Sequence, residues 1–170
     1  MSMRKGLIIL GDLLDQDLIW LAKVGELRRL NPNDVLIREG EELQELFLIT
    51  EGWFDVRVKG LPVAKLSVGD VLGEMSFVEK QPPSATVSAI EPARVLAVPQ
   101  EVLLQQFRVD QGFAARFYKA LAVFLSDRLR TMMPGGEDGE LDEGLLDTLH
   151  VAGDRMLRLM DLLEGRRTPA

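Results

Sequence analysis

A series of short apolar segments between Gly25 and Pro99 constrains the fold more than any other feature of this sequence. Turn residues such as Gly, Asn, Asp and Pro separate neighbouring segments, as is typical of consecutive β-strands. No helix long enough for a parallel crossover lies between them, so we predict antiparallel pairing in a closed sandwich or barrel. The segments are Leu27–Leu30, Val35–Ile37, Leu46–Ile49, Trp53–Val58, Val63–Leu66, Ala85–Ile90 and Val95–Val98.

Helices are predicted on both sides of these segments. Asp15 is a candidate cap for a helix that reaches Ala22, and further helices are predicted at 100–107 and 113–132. A run of Pro, Gly and acidic residues then indicates a solvated linker. The predicted parts are an N-terminal helical segment at 1–24, a β domain with its closing helices at 25–133, a linker at 134–144, a C-terminal amphipathic helix at 145–164 and a tail at 165–170.

Composition excludes several classes of function. The formal net charge of −7 repels phosphate backbones at long range, so no nucleic-acid partner is predicted. The chain has no cysteine and one histidine, so we predict no metal site, no catalytic residues and no enzymatic activity. No apolar run approaches the roughly 20 residues that cross a bilayer, and no signal peptide is evident, so we expect a cytoplasmic protein without membrane contact.

Residues 72–87, LGEMSFVEKQPPSATV, contain the strongest candidate for a binding site. Gly73 allows a ligand to approach the backbone closely, and the N–H groups of Glu74, Met75 and Ser76 open a short helix whose positive end favours an anion. The alternative is an ordinary helix start, in which the macrodipole alone favours Glu74.

The order of these elements resembles that of a known family. The segments VLIREGE at 35–41, ELFLITEGWFDV at 45–56 and LSVGDVLGE at 66–74 precede the candidate site, and a long helix follows it. From about Asp15 to Met132 the chain resembles the cyclic nucleotide-binding domain family, the module of catabolite activator protein and of kinase regulatory subunits. The resemblance implies a mainly β fold with flanking helices, in which an antiparallel β-roll, similar to a jelly roll, is followed by C-terminal helices.

The resemblance also implies roles for individual residues. Glu74 stands where the family's acidic residue accepts hydrogen bonds from the ribose 2′-hydroxyl. Ser84 and Ala85 match the small residues that follow the family's phosphate-binding Arg. A cyclic nucleotide or another small anion is therefore the candidate ligand, and no other cofactor is predicted.

Pro83 departs from the family pattern, because it occupies the place of that Arg. Proline supplies neither a cation nor an N–H donor, so we predict weak or absent binding of cyclic AMP. Arg57, at an inner position of its strand, and Arg128, on the closing helix, are candidate substitute cations. Each has the alternative of being a solvated surface charge.

The C-terminal helix offers a second kind of interaction. The residues after Pro134 are too few for the helix-turn-helix domain of related transcription factors, so we expect none. Apolar residues instead recur at alternating spacings of four and three, which predicts a homodimer through helices 113–132 and 145–163. The alternative is a helix that packs on its own domain. The recurring residues are Leu145, Leu149, Ala152, Met156, Leu159 and Leu163.

Two functions follow from these observations. The first is a non-enzymatic regulatory or sensor module whose closing helices report occupancy to a protein effector. The alternative is a ligand-free interaction or structural protein that oligomerises through its C-terminal helices.

Overall fold

The computed structural model describes residues 11–132 and 156–165. The chain forms two compact units. The first contains Val24–Gln105, and the second contains the described residues at 11–23, 106–132 and 156–165. Among the described residues, no helix is both long and apolar enough to cross a membrane.

The first unit consists of two four-stranded antiparallel sheets, with strand orders β1-β8-β3-β6 and β2-β7-β4-β5. This arrangement confirms the predicted antiparallel β-roll with flanking helices. The strands are β1 Glu26–Leu30, β2 Val35–Ile37, β3 Glu45–Glu51, β4 Phe54–Val58, β5 Leu61–Leu66, β6 Val71–Leu72, β7 Thr86–Ala89 and β8 Ala93–Pro99. The helices among the described residues are α1 Asp15–Val24, α2 Glu74–Glu79, α3 Gln100–Val109 and α4 Gln111–Met132, and residues 11–12 and 156–165 are also helical.

The interior of the roll is built from alternate residues of facing strands. Phe54 and Val56 of β4 are buried in it, so Asp55 and Arg57 lie on the opposite face of the strand. The prediction that Arg57 occupies an inner position is therefore wrong. Its side chain is 51% exposed and forms an ion pair with Asp55 instead.

Each predicted apolar segment overlaps an observed strand, but β6 has no counterpart among them. It contains only Val71 and Leu72, both buried, and pairs with β3. Two residues are too few to show the alternation that identifies a strand from sequence.

The second unit contains a partly buried ion pair between α1 and α4. Asp17 is 3% exposed, and its carboxylate accepts hydrogen bonds from Nε and Nη2 of Arg116 at 2.8 and 2.9 Å. The same carboxylate accepts the N–H of Leu14 at 2.8 Å and so satisfies a donor at the start of α1. The predicted cap was Asp15, but Asp15 is already the first residue of the helix.

The apolar faces on which self-association was predicted are covered within a single chain. The described residues of these faces are each less than one-tenth exposed. The first part of the predicted C-terminal seam lies outside the described residues, at Leu145, Leu149 and Ala152. The buried residues are Phe117, Leu121 and Phe124 of α4 and Met156, Leu159 and Leu163 of the segment at 156–165.

Candidate functional site

The helix predicted to open the candidate site is present. α2 begins immediately after Gly73, whose φ of 85° lies in the left-handed region that favours glycine. A Cβ at this position would lie 2.7 Å from Cδ2 of Leu43 and 3.2 Å from the carbonyl oxygen of Glu45. Both the backbone angle and the close neighbours therefore require glycine at position 73.

The first turn of α2 places its side chains in different surroundings. Glu74 is 4% exposed and Ser76 is 8% exposed, whereas Met75 is 50% exposed. A carboxylate in the first turn of a helix is favoured by the positive end of the helix dipole. Of the predicted site residues on α2, Glu74 and Ser76 thus present buried polar groups, while Met75 contributes its backbone alone.

Pro83, Ser84 and Ala85 form a segment that leads into β7. Ser84 is exposed, whereas Pro83 and Ala85 are half-buried and Ala85 packs against the roll interior. The carbonyl oxygen of Pro83 accepts the N–H of Gly40 at 2.9 Å. The position predicted to replace the family's phosphate-binding Arg therefore carries a ring without charge, and its carbonyl is hydrogen-bonded to the loop after β2.

That loop contacts both halves of the candidate site. We define residues 39–43 as the strap. At one end the N–H of Glu39 donates to Oγ1 of Thr86 at 3.0 Å, beside the Gly40 bond to Pro83. At the other end Leu43 lies against Gly73. The Glu39 carboxylate also accepts the N–H of Lys59 at 2.9 Å, which ties the strap to the β4–β5 hairpin.

These strap contacts were absent from the sequence prediction. Leu43 is an apolar residue within the polar run GEELQE, which is the only local sign that it packs against another element. The hydrogen bonds of Glu39 and Gly40 join residues distant in sequence, and no periodicity indicates such pairs.

The candidate substitute cations have other contacts. Nε of Arg57 donates to Asp55 at 2.7 Å, and Nη1 donates to the carbonyl oxygen of Gly60 at 3.4 Å, so its guanidinium is held at the β4–β5 hairpin. Arg128 belongs to the second unit, where its guanidinium lies 5.1 Å from the ring centre of Phe124.

No group of three or more His, Cys, Asp or Glu side chains suited to a metal ion occurs in the part of the chain that the structure describes. The candidate site contains one buried carboxylate, one buried hydroxyl and backbone N–H groups. Such a set can bind a neutral hydroxyl and a small anion.

The sequence of this region decides the family. Residues 27–110, which include β1 without its first residue, β2–β8 and α2, match the family described as "Cyclic nucleotide-binding domain". This part of the chain belongs to the cyclic nucleotide-binding domain family. The predicted resemblance to this family is confirmed.

Solved structures of this family share the fold. A cyclic nucleotide-binding domain from Methylobacillus flagellatus is 22% identical, with a TM-score of 0.69, and the match covers 82% of this chain and 86% of that one. The catabolite activator protein of Thermus thermophilus is 19% identical, with a TM-score of 0.62, over 96% of this chain and 91% of that one. At these identities the likeness concerns the fold.

A curated relative adds a functional context. The Pycsar effector protein XpPycTIR of Xanthomonas perforans is 36% identical over 113 residues, which cover 64% of this chain and 35% of the relative. The chain spans about a quarter to a third of the length of the curated bacterial relatives that it matches.

The packing of Leu43 against Gly73 leads to a stability prediction. We expect Gly73→Ala to lower the free energy of unfolding by about 2–3 kcal/mol, since backbone strain adds to the displacement of Leu43. Gly60→Ala is the matched control, because Gly60 has a similar φ of 81° and nothing within 4 Å of a Cβ. It should cost about 1 kcal/mol. Equal losses in urea denaturation would show that the contact with Leu43 contributes nothing.

Proposed function

We propose that the chain is the sensor module of a regulatory protein and that its cyclic nucleotide site binds cyclic AMP weakly or not at all. The observation that carries the proposal is Pro83, which stands where the family has a cation for the cyclic phosphate. The buried Glu74 stands at the place of the ribose-binding carboxylate. The ribose half of the family's site is thus retained and the charged half is lost.

Electrostatics support weak anion binding. Without a guanidinium, the phosphate depends on backbone N–H groups and on the small dipole of a six-residue helix. Glu41 and Glu42 of the strap are exposed carboxylates, and the chain carries a net charge of −7. Both oppose the approach of a phosphate.

The regulatory role is supported by the relatives. Three curated bacterial relatives are named as Pycsar effector proteins, and each is longer than the part that this chain matches. We infer that the module acts on an effector polypeptide, either linked to it or bound by it. The module itself is proposed to have no enzymatic activity.

Calorimetric titration tests this function. Cyclic AMP, cyclic GMP, cyclic CMP and cyclic UMP share the ribose and the cyclic phosphate and differ only in the base. The proposal expects dissociation constants weaker than about 100 µM for the unaltered chain, whichever base is present, because the deficit lies at the shared phosphate. Micromolar or tighter binding of any of the four would contradict the proposed weakness and identify the signal.

Homodimerisation is a separate proposal, and the structure changes the surface on which it rests. The predicted apolar face of α4 is buried within one chain, so it cannot also meet a second copy. A different row of α4 is exposed, at Ala115, Tyr118, Ala122 and Leu129. These residues are spaced by three, four and seven, which matches the seam between two paired helices.

Light scattering tests this surface. If α4 pairs with a second copy, Leu129→Glu should convert a dimer into a monomer, because Leu129 is 59% exposed on the row and a buried charge opposes pairing. Val109→Glu inserts the same charge at an 83% exposed position off the row and should leave the dimer intact. A monomeric unaltered chain, or equal effects of both variants, would exclude pairing through this row.

A further inference from the structure

We propose that Leu43 is a gate residue, whose side chain occupies the space beside Gly73 that an anionic ligand needs. The inference rests on the proposed function, because it concerns access to the same site. It assigns a role to a residue outside α2 and the segment 83–85, which the family resemblance did not single out.

Glycine at position 73 leaves a space beside the backbone. A glycine lets another group approach the backbone closely because the space of a Cβ is free. At Gly73 that space faces Cδ2 of Leu43, 2.7 Å from the Cβ position, and the carbonyl oxygen of Glu45 at 3.2 Å. The approach that glycine permits is therefore made by the protein's own strap.

The two neighbours of Gly73, Leu43 and Glu45, differ in their freedom to move. Glu45 belongs to β3, where it pairs with Pro99 of β8, and its carbonyl also accepts Nε2 of Gln100 at 3.4 Å. Leu43 lies in the strap before β3, half-buried against the roll interior. Rotation of one leucine side chain opens the space, whereas moving Glu45 would disrupt the sheet.

Backbone hydrogen bonds hold the chain on both sides of Leu43. Gly40 is fixed to Pro83, and the carbonyl oxygen of Gln44 accepts the N–H of Gln100 at 2.9 Å. Because these hydrogen bonds hold Gly40 and Gln44, the loop between them does not move as a whole when the space opens. The gate is the Leu43 side chain alone, and the closed position is held by apolar packing.

Only molecules with an open Leu43 side chain bind the ligand, so the measured affinity is reduced in proportion to the fraction of molecules that are open. A shorter side chain at position 43 should therefore strengthen binding, although it weakens packing. This combination separates a gate from a structural residue, since truncating a merely structural residue loses packing without improving affinity.

The test is a set of titrations with cyclic AMP on four full-length proteins: the unaltered chain, Pro83→Arg, Leu43→Ala and the double variant. Within the Pro83→Arg background, Leu43→Ala should tighten binding about tenfold, as expected if about one molecule in ten is open. Leu36→Ala is the matched control, because Leu36 also packs half-buried against the roll interior. It should leave the affinity unchanged or weaker.

Leu43→Met provides a second variant of nearly the same volume, which should keep the gate closed and bind as the parent does. If Pro83→Arg binds cyclic AMP and Leu43→Ala adds nothing, the gate is wrong and the proposed function stands. If neither Pro83→Arg nor the double variant binds, the gate and the assignment of position 83 to the cyclic phosphate are both overturned. Unfolding curves for each variant confirm that the titrated protein is folded.

Discussion

Pro83→Arg is expected to strengthen cyclic AMP binding by about 30- to 4,000-fold, which corresponds to the roughly 2–5 kcal/mol lost when one partner of a buried charge pair is removed. The physical reason is that a guanidinium donates two parallel charge-assisted hydrogen bonds to a phosphate, which proline cannot replace. The lower end is favoured here, because the exposed carboxylates of Glu41 and Glu42 in the strap remain.

The control for this variant is Pro82→Arg, which adds the same charge one residue earlier at an exposed position. It should change affinity by less than about threefold, because an exposed charge acts only through a screened field. Equal gains from both variants would mean that net charge, and not the geometry at position 83, limits binding. No gain from Pro83→Arg would contradict the assignment of this position to the phosphate.

The ion pair between Asp17 and Arg116 leads to the second large expected effect. Arg116→Leu should lower the free energy of unfolding by about 3 kcal/mol, because it leaves a carboxylate that is 3% exposed without its bidentate partner. Hydrogen bonds from Asp17 raise the pKa of Arg116 above its ordinary value. Because the pKa of Arg116 is raised in the folded state, its charged guanidinium stabilises the fold at neutral pH, and this contribution is lost as the pH rises into strong alkali.

Lys119→Leu is the matched control for Arg116→Leu on the same helix. Lys119 pairs with Asp12 at 3.3 Å, but its side chain is 71% exposed, so its removal should cost less than about 0.5 kcal/mol. A double variant of Arg116→Leu with Asp17→Asn should recover part of the loss, because the uncompensated buried charge is then absent. Similar losses for Arg116→Leu and Lys119→Leu in urea denaturation would contradict the role of the buried pair.

The strands were largely predictable because alternation and turn residues are local properties. Val35–Ile37 appears as β2 with unchanged bounds, and the other apolar segments differ from the strands by a few residues at their ends. Alternation alone does not tell which side of a strand faces inward. Arg57 was placed inside, although Phe54 and Val56 already supply the buried face of β4.

Contacts between distant residues account for what the sequence did not predict. Asp17 and Arg116 are 99 positions apart, and nothing in either local pattern links them. The same reason explains why Leu43 escaped notice beside Gly73. For α4 the sequence correctly identified an apolar face at Phe117, but an apolar pattern does not tell whether the same chain or a second copy covers it.

Backbone amide NMR spectra during a cyclic AMP titration of the Pro83→Arg variant test the central claim most directly. The claim is that the backbone at 73–76 and the segment 83–85 form the phosphate-binding half of a site that the unaltered chain no longer completes. It predicts saturable shifts concentrated at Gly73, Glu74, Met75, Ser76, Ser84 and Ala85, and much smaller shifts in the unaltered chain at the same ligand concentration. Saturable shifts centred on other residues, or identical shifts in the two proteins, would contradict it.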